Sequence, residues 1–279
     1  MKHVEQKLSI ALLPNQYISN NNSKLIVEIS NQHIVLLEKN NNTSQSFEYY
    51  EISGTNGDWD SIFASAKNQS KILSNFYSNT TVYLNSLENL IVPSEKFQRN
   101  SVDAFLTTVY GDTNNTQTET DLINIADNPV AVYRCSNELN TAIKKYFVSF
   151  NYKSIYTKTL ENLFHNDRML MEMVKVQLYE STMLVVVICN NKLMLIQTYN
   201  YTSPEDIIYY LLNIVQEFNL SVKSTPVEVS GFIDKNSRQF ELLENIFGRL
   251  SLETISNDGL FNTSVEPSKA HFYTPFYNL

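Results

Sequence analysis

The order of strand and helix signals constrains this chain more than any single residue does, because one order occurs twice. In the second half, residues 174–178, 183–189 and 193–198 are apolar, β-branched runs of strand length. The turns between them hold Glu180, Ser181 and Thr182, then Asn190, Asn191 and Lys192. Ser203, Pro204, Glu205 and Asp206 then start a helix, with a capping serine, a proline at the first helical position and acids in the first turn. Its apolar face would be Ile207, Leu211, Ile214, Val215 and Phe218. Residues 226–233 read as a strand and 236–247 as a helix with Gly248 in its left-handed C-terminal turn. Residues 250–255 read as a last strand.

The first half follows the same order. Residues 25–29 and 33–37 flank a turn of Ser30, Asn31 and Gln32, and 47–52 follows as a third strand. Gly54 and Gly57 punctuate the chain, and Asp58 caps a helix whose apolar face is Ile62, Phe63, Ala66, Leu73 and Phe76. Residues 81–84 are the next strand. A less regular stretch comes after it: an extended piece ended by Pro93, a helix capped by Ser101, a polar loop over 112–120, and strands over 122–125 and 130–135. A helix capped by Asn137, a strand over 154–157 and a helix over 160–167 complete it. Residues 1–23 read as a loosely ordered lead-in. Three adjacent strands followed by alternating helices and strands, met twice, predict an α/β fold of two duplicated lobes, 1–167 and 168–279. Each lobe would be a mixed sheet flanked by helices, and the two would pair around a cleft.

Composition narrows the function. The 279 residues are 43% hydrophobic and 18% charged, enough to bury a core. A formal net charge of −8, with no basic cluster denser than Lys144 and Lys145, argues against binding nucleic acid or an anionic membrane. The longest apolar run, 183–189, falls far short of the roughly 20 residues that span a bilayer. The opening residues hold too short an apolar stretch for a secretory signal, so no membrane insertion and a cytoplasmic location are expected. The Asn-x-Ser/Thr triplets, such as the one at Asn79, follow from an asparagine-rich composition.

Several segments carry a resemblance. Asn191 to Leu195, the run from Tyr199 through Ser203 and Pro204 to Asp206, and Ile208, Tyr209, Tyr210, Leu211 and Leu212 resemble a bacterial family, domain of unknown function 3822. Val92, Pro93 and Phe97 and the helix over 139–147 resemble its first half, so the likeness spans about 24–256. The strand order is similar to the actin-like ATPase (ribonuclease H-like) fold. The family has no known activity, so the resemblance implies a fold and no reaction. The stretch 130–163 also resembles actin-like pilus-assembly proteins, which scaffold a membrane complex by binding a partner peptide.

The actin-like resemblance implies where a nucleotide would sit. Such ATPases hold phosphates at the first hairpin of each lobe, where Asp-x-Gly is followed by small hydroxyl residues. The glycine lets backbone N–H groups approach phosphate, and the acid holds magnesium through water. In lobe one the acid is kept as Glu28, but Ser30 stands at the glycine position, followed by Asn31. In lobe two Gln177 replaces the acid and Tyr179 the glycine, with Ser181 and Thr182 as the hydroxyls. The adenosine-side glycine pair is reduced to Gly231. The degenerate cofactor-binding set is therefore Glu28, Ser30, Asn31, Ser181, Thr182 and Gly231, in a chain with only six glycines. No bound cofactor is expected. The leading reading is a non-catalytic binding or scaffolding protein, and the alternative is a divergent nucleotide-binding ATPase or kinase.

Other chemistry finds little support. His3, His33, His165 and His271 lack metal-ligand spacing. Cys135 and Cys189 read as buried free thiols, and Asp58 and Asp60 as a capping and solvated pair. In the tail 271–279, Phe272, Tyr273, Phe276 and Tyr277 either pack back on their own chain or dock on an unknown protein partner or a second copy as a homodimer.

Overall fold

Three sheets carry the chain in a computed structural model that describes residues 3–11, 23–40, 43–54, 58–165, 172–253, 260 and 264–277. Gly57, 166–167, the end of the strand read to 255, and 278–279 lie outside the described residues. The described residues cluster into two compact units. The first takes the chain up to His165, with Leu260 and residues 264–265; the second takes 172–253 and the tail.

The first unit opens with β1 (His3–Ala11), β2 (Lys24–Ile29), β3 (His33–Asn40) and β4 (Thr43–Ser53). Helix α1 (Trp59–Gln69) crosses over to β5 (Thr80–Leu84), which lies parallel to β2. An insertion follows, consisting of β6 (Asn89–Val92), α2 (Val102–Tyr110), β7 (Thr116–Leu122), β8 (Val130–Ser136) and α3 (Asn137–Tyr146). Its three strands form an antiparallel sheet around a small core of Val92, Val102, Leu106, Val130 and Val132. The chain then returns as β9 (Phe150–Ser154), parallel to β5, and α4 (Ile155–His165). The large sheet runs β1-β4-β3-β2-β5-β9.

The second unit has β10 (Glu172–Leu178), β11 (Thr182–Cys189), β12 (Lys192–Asn200), α5 (Pro204–Glu217), β13 (Val227–Gly231), α6 (Arg238–Ile246), β14 (Leu250–Leu252) and α7 (Ala270–Tyr277). Its sheet order, β12-β11-β10-β13-β14, repeats the β4-β3-β2-β5-β9 part of the first sheet. The predicted duplicated fold is thus present. Val174, Val176 and Leu178 of β10 and Met183, Val185 and Val187 of β11 share one core with Ile207, Leu211, Ile214 and Val215 of α5 and Leu243 of α6. The period-two pattern of the strands meets the helical spacing of α5 there.

Local chemistry explains the boundaries. Asp206 N–H donates to Ser203 Oγ at 3.2 Å while Ser203 N–H donates to Asp206 Oδ2 at 2.9 Å, a reciprocal capping box that fixes the start of α5. Asn190 and Asn191 both take positive φ, 51° and 60°, which gives the β11–β12 hairpin the twist that two-residue turns need. At this hairpin asparagine serves the turn.

Several expectations are corrected. The opening segment contains β1, an edge strand with only Val4 buried; its His3, Glu5 and Lys7 stay exposed and its main requirement is backbone pairing with β4. β7 occupies most of the expected polar loop, because a largely accessible edge strand needs little apolar alternation. Ser136, not Asn137, caps α3, accepting from Leu139 N–H at 3.2 Å, and Ser101 makes no side-chain cap. The strand expected over 154–157 ends at Ser154, where Tyr156 N–H donates to Ser154 Oγ and α4 begins. α1 stops at Gln69, so Phe76 is 79% exposed and is not core. Cys189 is half-buried. Gly248 is not among the positive-φ residues; an added Cβ there would lie 2.6 Å from Lys223 O, so close approach of two backbones explains it.

Gly231 has φ +86°, and a Cβ would stand 2.0 Å from Leu178 O; Gly111 has φ +81° with open space around it. Gly111→Ala should therefore cost only backbone strain, about 1–3 kcal/mol. Gly231→Ala should cost clearly more, because the β10–β13 ladder must also move. Urea unfolding of both variants measures the difference.

Candidate functional site

The first hairpin is held by a buried charge cluster. Glu28, near the end of β2, is fully buried. Its Oε1 accepts from Asn85 Nδ2 at 3.0 Å and lies 3.2 Å from His33 Nε2; its Oε2 accepts from Lys158 Nζ at 3.4 Å. His33 and Lys158 are themselves nearly inaccessible. Burial pushes the Glu28 carboxyl upward, but Lys158, His33 and Asn85 together outweigh it and hold the group below the usual carboxylate range. Glu28 is thus a carboxylate neutralised from within, its oxygens turned to protein donors.

Ser30 closes the turn. Its Oγ accepts from Gln32 N–H and His33 N–H, each at 3.0 Å, and lies 3.0 Å from His33 Nδ1. An Nε2–H tautomer of His33 satisfies both ring contacts, donating to Glu28 and accepting from the Ser30 hydroxyl. The two backbone N–H groups that a glycine at position 30 would leave for a phosphate are taken by this side chain.

Ser30 and the exposed Asn31 line a cleft of about 230 Å³ in the first unit, together with Asn85, Ser86, Glu88, Thr116, Arg134, Cys135 and Ser136. The Arg134 guanidinium donates to Glu88 Oε2 at 2.9 Å, Thr107 Oγ1 at 3.2 Å and Gly111 O at 3.0 Å. Burial, with nearby Glu119, pushes the Cys135 thiol up to about 12, so it is no thiolate nucleophile at neutral pH.

The second hairpin is built differently. Tyr179 is fully buried, its N–H donates to Thr182 O at 2.8 Å, and the Tyr201 hydroxyl donates to Tyr179 O. Ser181 O accepts from Tyr201 N–H at 2.9 Å. Gly231 sits beside Leu178, whose carbonyl accepts from Phe232 N–H at 2.8 Å. Phe276 of α7 packs here, 6.0 Å from the Tyr179 ring and 6.3 Å from that of Phe232, and is 1% exposed. His271 Nε2 lies 2.6 Å from Ile233 O. Phe272 and Tyr273 are half-buried, and the Tyr277 side chain lies outside the described residues. The tail therefore packs on its own unit.

The sequence-derived positions fall at the two hairpins, Glu28, Ser30 and Asn31 at one and Ser181, Thr182 and Gly231 at the other. Sequence reasoning missed His33, Asn85 and Lys158. A signal existed for two of them: a histidine three residues after the turn serine, and a lone lysine inside the apolar-rich stretch of α4. Asp58 accepts from Asp60 N–H at 3.1 Å and Asp60 pairs with Lys145 at 2.7 Å, as a cap and a surface ion pair. Among the described residues no group of three or more His, Cys, Asp or Glu could hold a metal, and no helix is long and apolar enough to cross a membrane.

The family model described as "Protein of unknown function (DUF3822)" matches residues 14–248. A Bacteroides thetaiotaomicron protein with an actin-like ATPase fold and unknown function superposes with a TM-score of 0.74 at 14% identity, over 88% of this chain and 93% of that one. A chain of the PilM-PilN type IV pilus biogenesis complex superposes with a TM-score of 0.57 at 13% identity, over 91% and 95%. No curated protein matches.

Lys158→Met should cost roughly 3–5 kcal/mol by stranding a buried carboxylate, and adding Glu28→Gln should recover much of it. Because the folded Glu28 pKa is lowered, its contribution is complete above the unfolded value of about 4.3 and is lost as pH falls through the folded value. Glu28→Gln should remove that part of the acid sensitivity in urea titrations. Phe276→Ala should cost about 3 kcal/mol and half-buried Phe272→Ala about 1 kcal/mol, read from the same unfolding curves.

Proposed function

This chain belongs to the family described as protein of unknown function (DUF3822), and we propose that it is a non-catalytic binding or scaffolding protein on an actin-like frame. The observation that carries the reading is the internal use of the first hairpin. Ser30 Oγ takes the turn N–H groups, and Lys158 and His33 take the carboxylate of Glu28. A phosphate approaching this turn would have to break those bonds and face a carboxylate already paired. At the second hairpin the space is filled by the Tyr179 and Phe276 rings. Glu28, Ser30, Asn31, Ser181, Thr182 and Gly231 are then remnants of phosphate and adenosine loops, kept for structure. A protein partner is further supported by the pilus biogenesis complex, in which a chain of the same fold is found in a two-protein assembly.

Titration calorimetry with magnesium-ATP is expected to give no saturable heat up to about 1 mM nucleotide. Micromolar binding that weakens about tenfold or more in Glu28→Gln would replace this reading with that of a divergent nucleotide-binding ATPase or kinase.

A further inference from the structure

The cleft beside the first hairpin lies where the two sheets of the first unit meet. Ile29 and Leu84, which are partners in register, end the parallel strands β2 and β5, and both line it. Arg134 and Ser136, from the end of β8 in the inserted sheet, line it too. In open α/β sheets small ligands settle outside the carboxyl ends of parallel strands.

Two charged side chains line the cleft, and they are fixed to each other. Arg134 is 8% exposed; its backbone N–H donates to Glu88 O at 3.1 Å and its Nη1 to Glu88 Oε2 at 2.9 Å. Nη2 is taken by Thr107 and Gly111 O. The Nε–H and one Nη1–H therefore have no acceptor among the described residues. Glu88 keeps Oε1 unpaired there, on a side chain that is 37% exposed.

The neutral polar groups add donors. Ser86 Oγ accepts from Glu88 N–H and Ser136 Oγ from Leu139 N–H, each at 3.2 Å, and among the described residues neither hydroxyl donates. The Thr116 and Asn31 side chains make no hydrogen bond there. The rest of the lining includes the aliphatic Leu84, Leu87 and Leu139, and no aromatic ring.

This inventory selects a ligand by charge and shape. Arg134 and Glu88 together carry no net charge, so a phosphate or a dicarboxylate would bring charge that an arginine already paired offsets only in part. Without an aromatic ring the cleft offers no stacking platform for a base or a sugar. The unused donors ask for a carboxylate, the unpaired Glu88 oxygen for a cation, and the leucines for an aliphatic body. At about 230 Å³ the cleft is smaller than the roughly 300–1,000 Å³ of sites for drug-sized ligands, so the occupant is a small metabolite.

We propose that this cleft binds a free aliphatic α-amino acid. Arg134, Ser86 and Ser136 take its carboxylate, Glu88 Oε1 its ammonium, and Leu84, Leu87 and Leu139 its side chain. The site goes beyond the scaffolding reading and is independent of it, so the magnesium-ATP titration leaves it untouched.

The test is titration calorimetry of the full chain with L-leucine, L-isoleucine, L-valine and L-methionine. At least one should bind saturably, with Kd between about 1 μM and 1 mM. Its N-acetyl derivative, which lacks the ammonium, and its amide, which lacks the carboxylate, should each bind at least about tenfold more weakly. Glu88→Gln should weaken binding at least about tenfold in a chain that still melts cooperatively, and Leu87→Ala carries the same expectation at a half-buried, uncharged position. Glu205→Gln, on the exposed start of α5, should leave binding unchanged. No saturable heat with any of the four up to about 10 mM would overturn the proposal. An amide or N-acetyl derivative that binds as tightly as the free amino acid would also overturn it, and would make a polypeptide terminus the occupant. So would an affinity indifferent to both Glu88→Gln and Leu87→Ala.

Discussion

A carboxylate removed from water must be given donors or it will not stay ionised, and Glu28 imposes that condition on the whole first unit. Its partners come from three places: His33 at the start of β3, Asn85 just beyond β5, and Lys158 from α4. The central strand, its two neighbours in the sheet and the helix after the insertion are therefore tied at one point. The desolvation penalty for either charge alone is several kcal/mol, so the elements that supply the partners cannot drift independently. The Ser30 turn is part of the same arrangement, because its hydroxyl orients the imidazole that faces Glu28. The resident ammonium of Lys158 supplies the positive charge that an acid in this place would otherwise draw from solution.

The second unit repeats the topology without the chemistry. Gln177 stands opposite Ser230 in the β10–β13 register, and the next turn is filled by Tyr179 under Phe276. Charge on that sheet lies further back, where Lys175 pairs with Glu228 and Glu253. One hairpin is closed by paired charges and the other by aromatic rings. A shared backbone order thus says little about a shared ligand, since the two turns present different surfaces to anything that approaches.

Much of the architecture was legible because strand and helix periods differ and the caps are strong. The Ser203 helix start, the Asn190–Asn191 turn and the β10 and β11 strands all read directly from the sequence. What failed to read had its reason in tertiary structure. β1 is amphipathic only weakly, and its pairing depends on the backbone of β4, which no local pattern reports. The hydrogen-bonding partners of Glu28 lie 5, 57 and 130 residues away along the chain. The departures from glycine at positions 30 and 179 were visible. That Ser30 would replace the missing phosphate contacts with its own hydroxyl was not, because a side chain's partner is fixed by the turn it closes.

The interrupted topology of the first unit also sets how its sheet must assemble. β9 pairs with β5, Ser154 against Leu84, with the whole insertion threaded between them. In the second unit β14 joins β13 across a single helix. Closing the longer loop costs chain entropy before any of the new contacts offset it, and folding rates fall as such non-local pairing grows. The two halves of one fold should therefore acquire structure on different clocks, the uninterrupted half first, with the last parallel strand of the other waiting for its small inserted sheet to form.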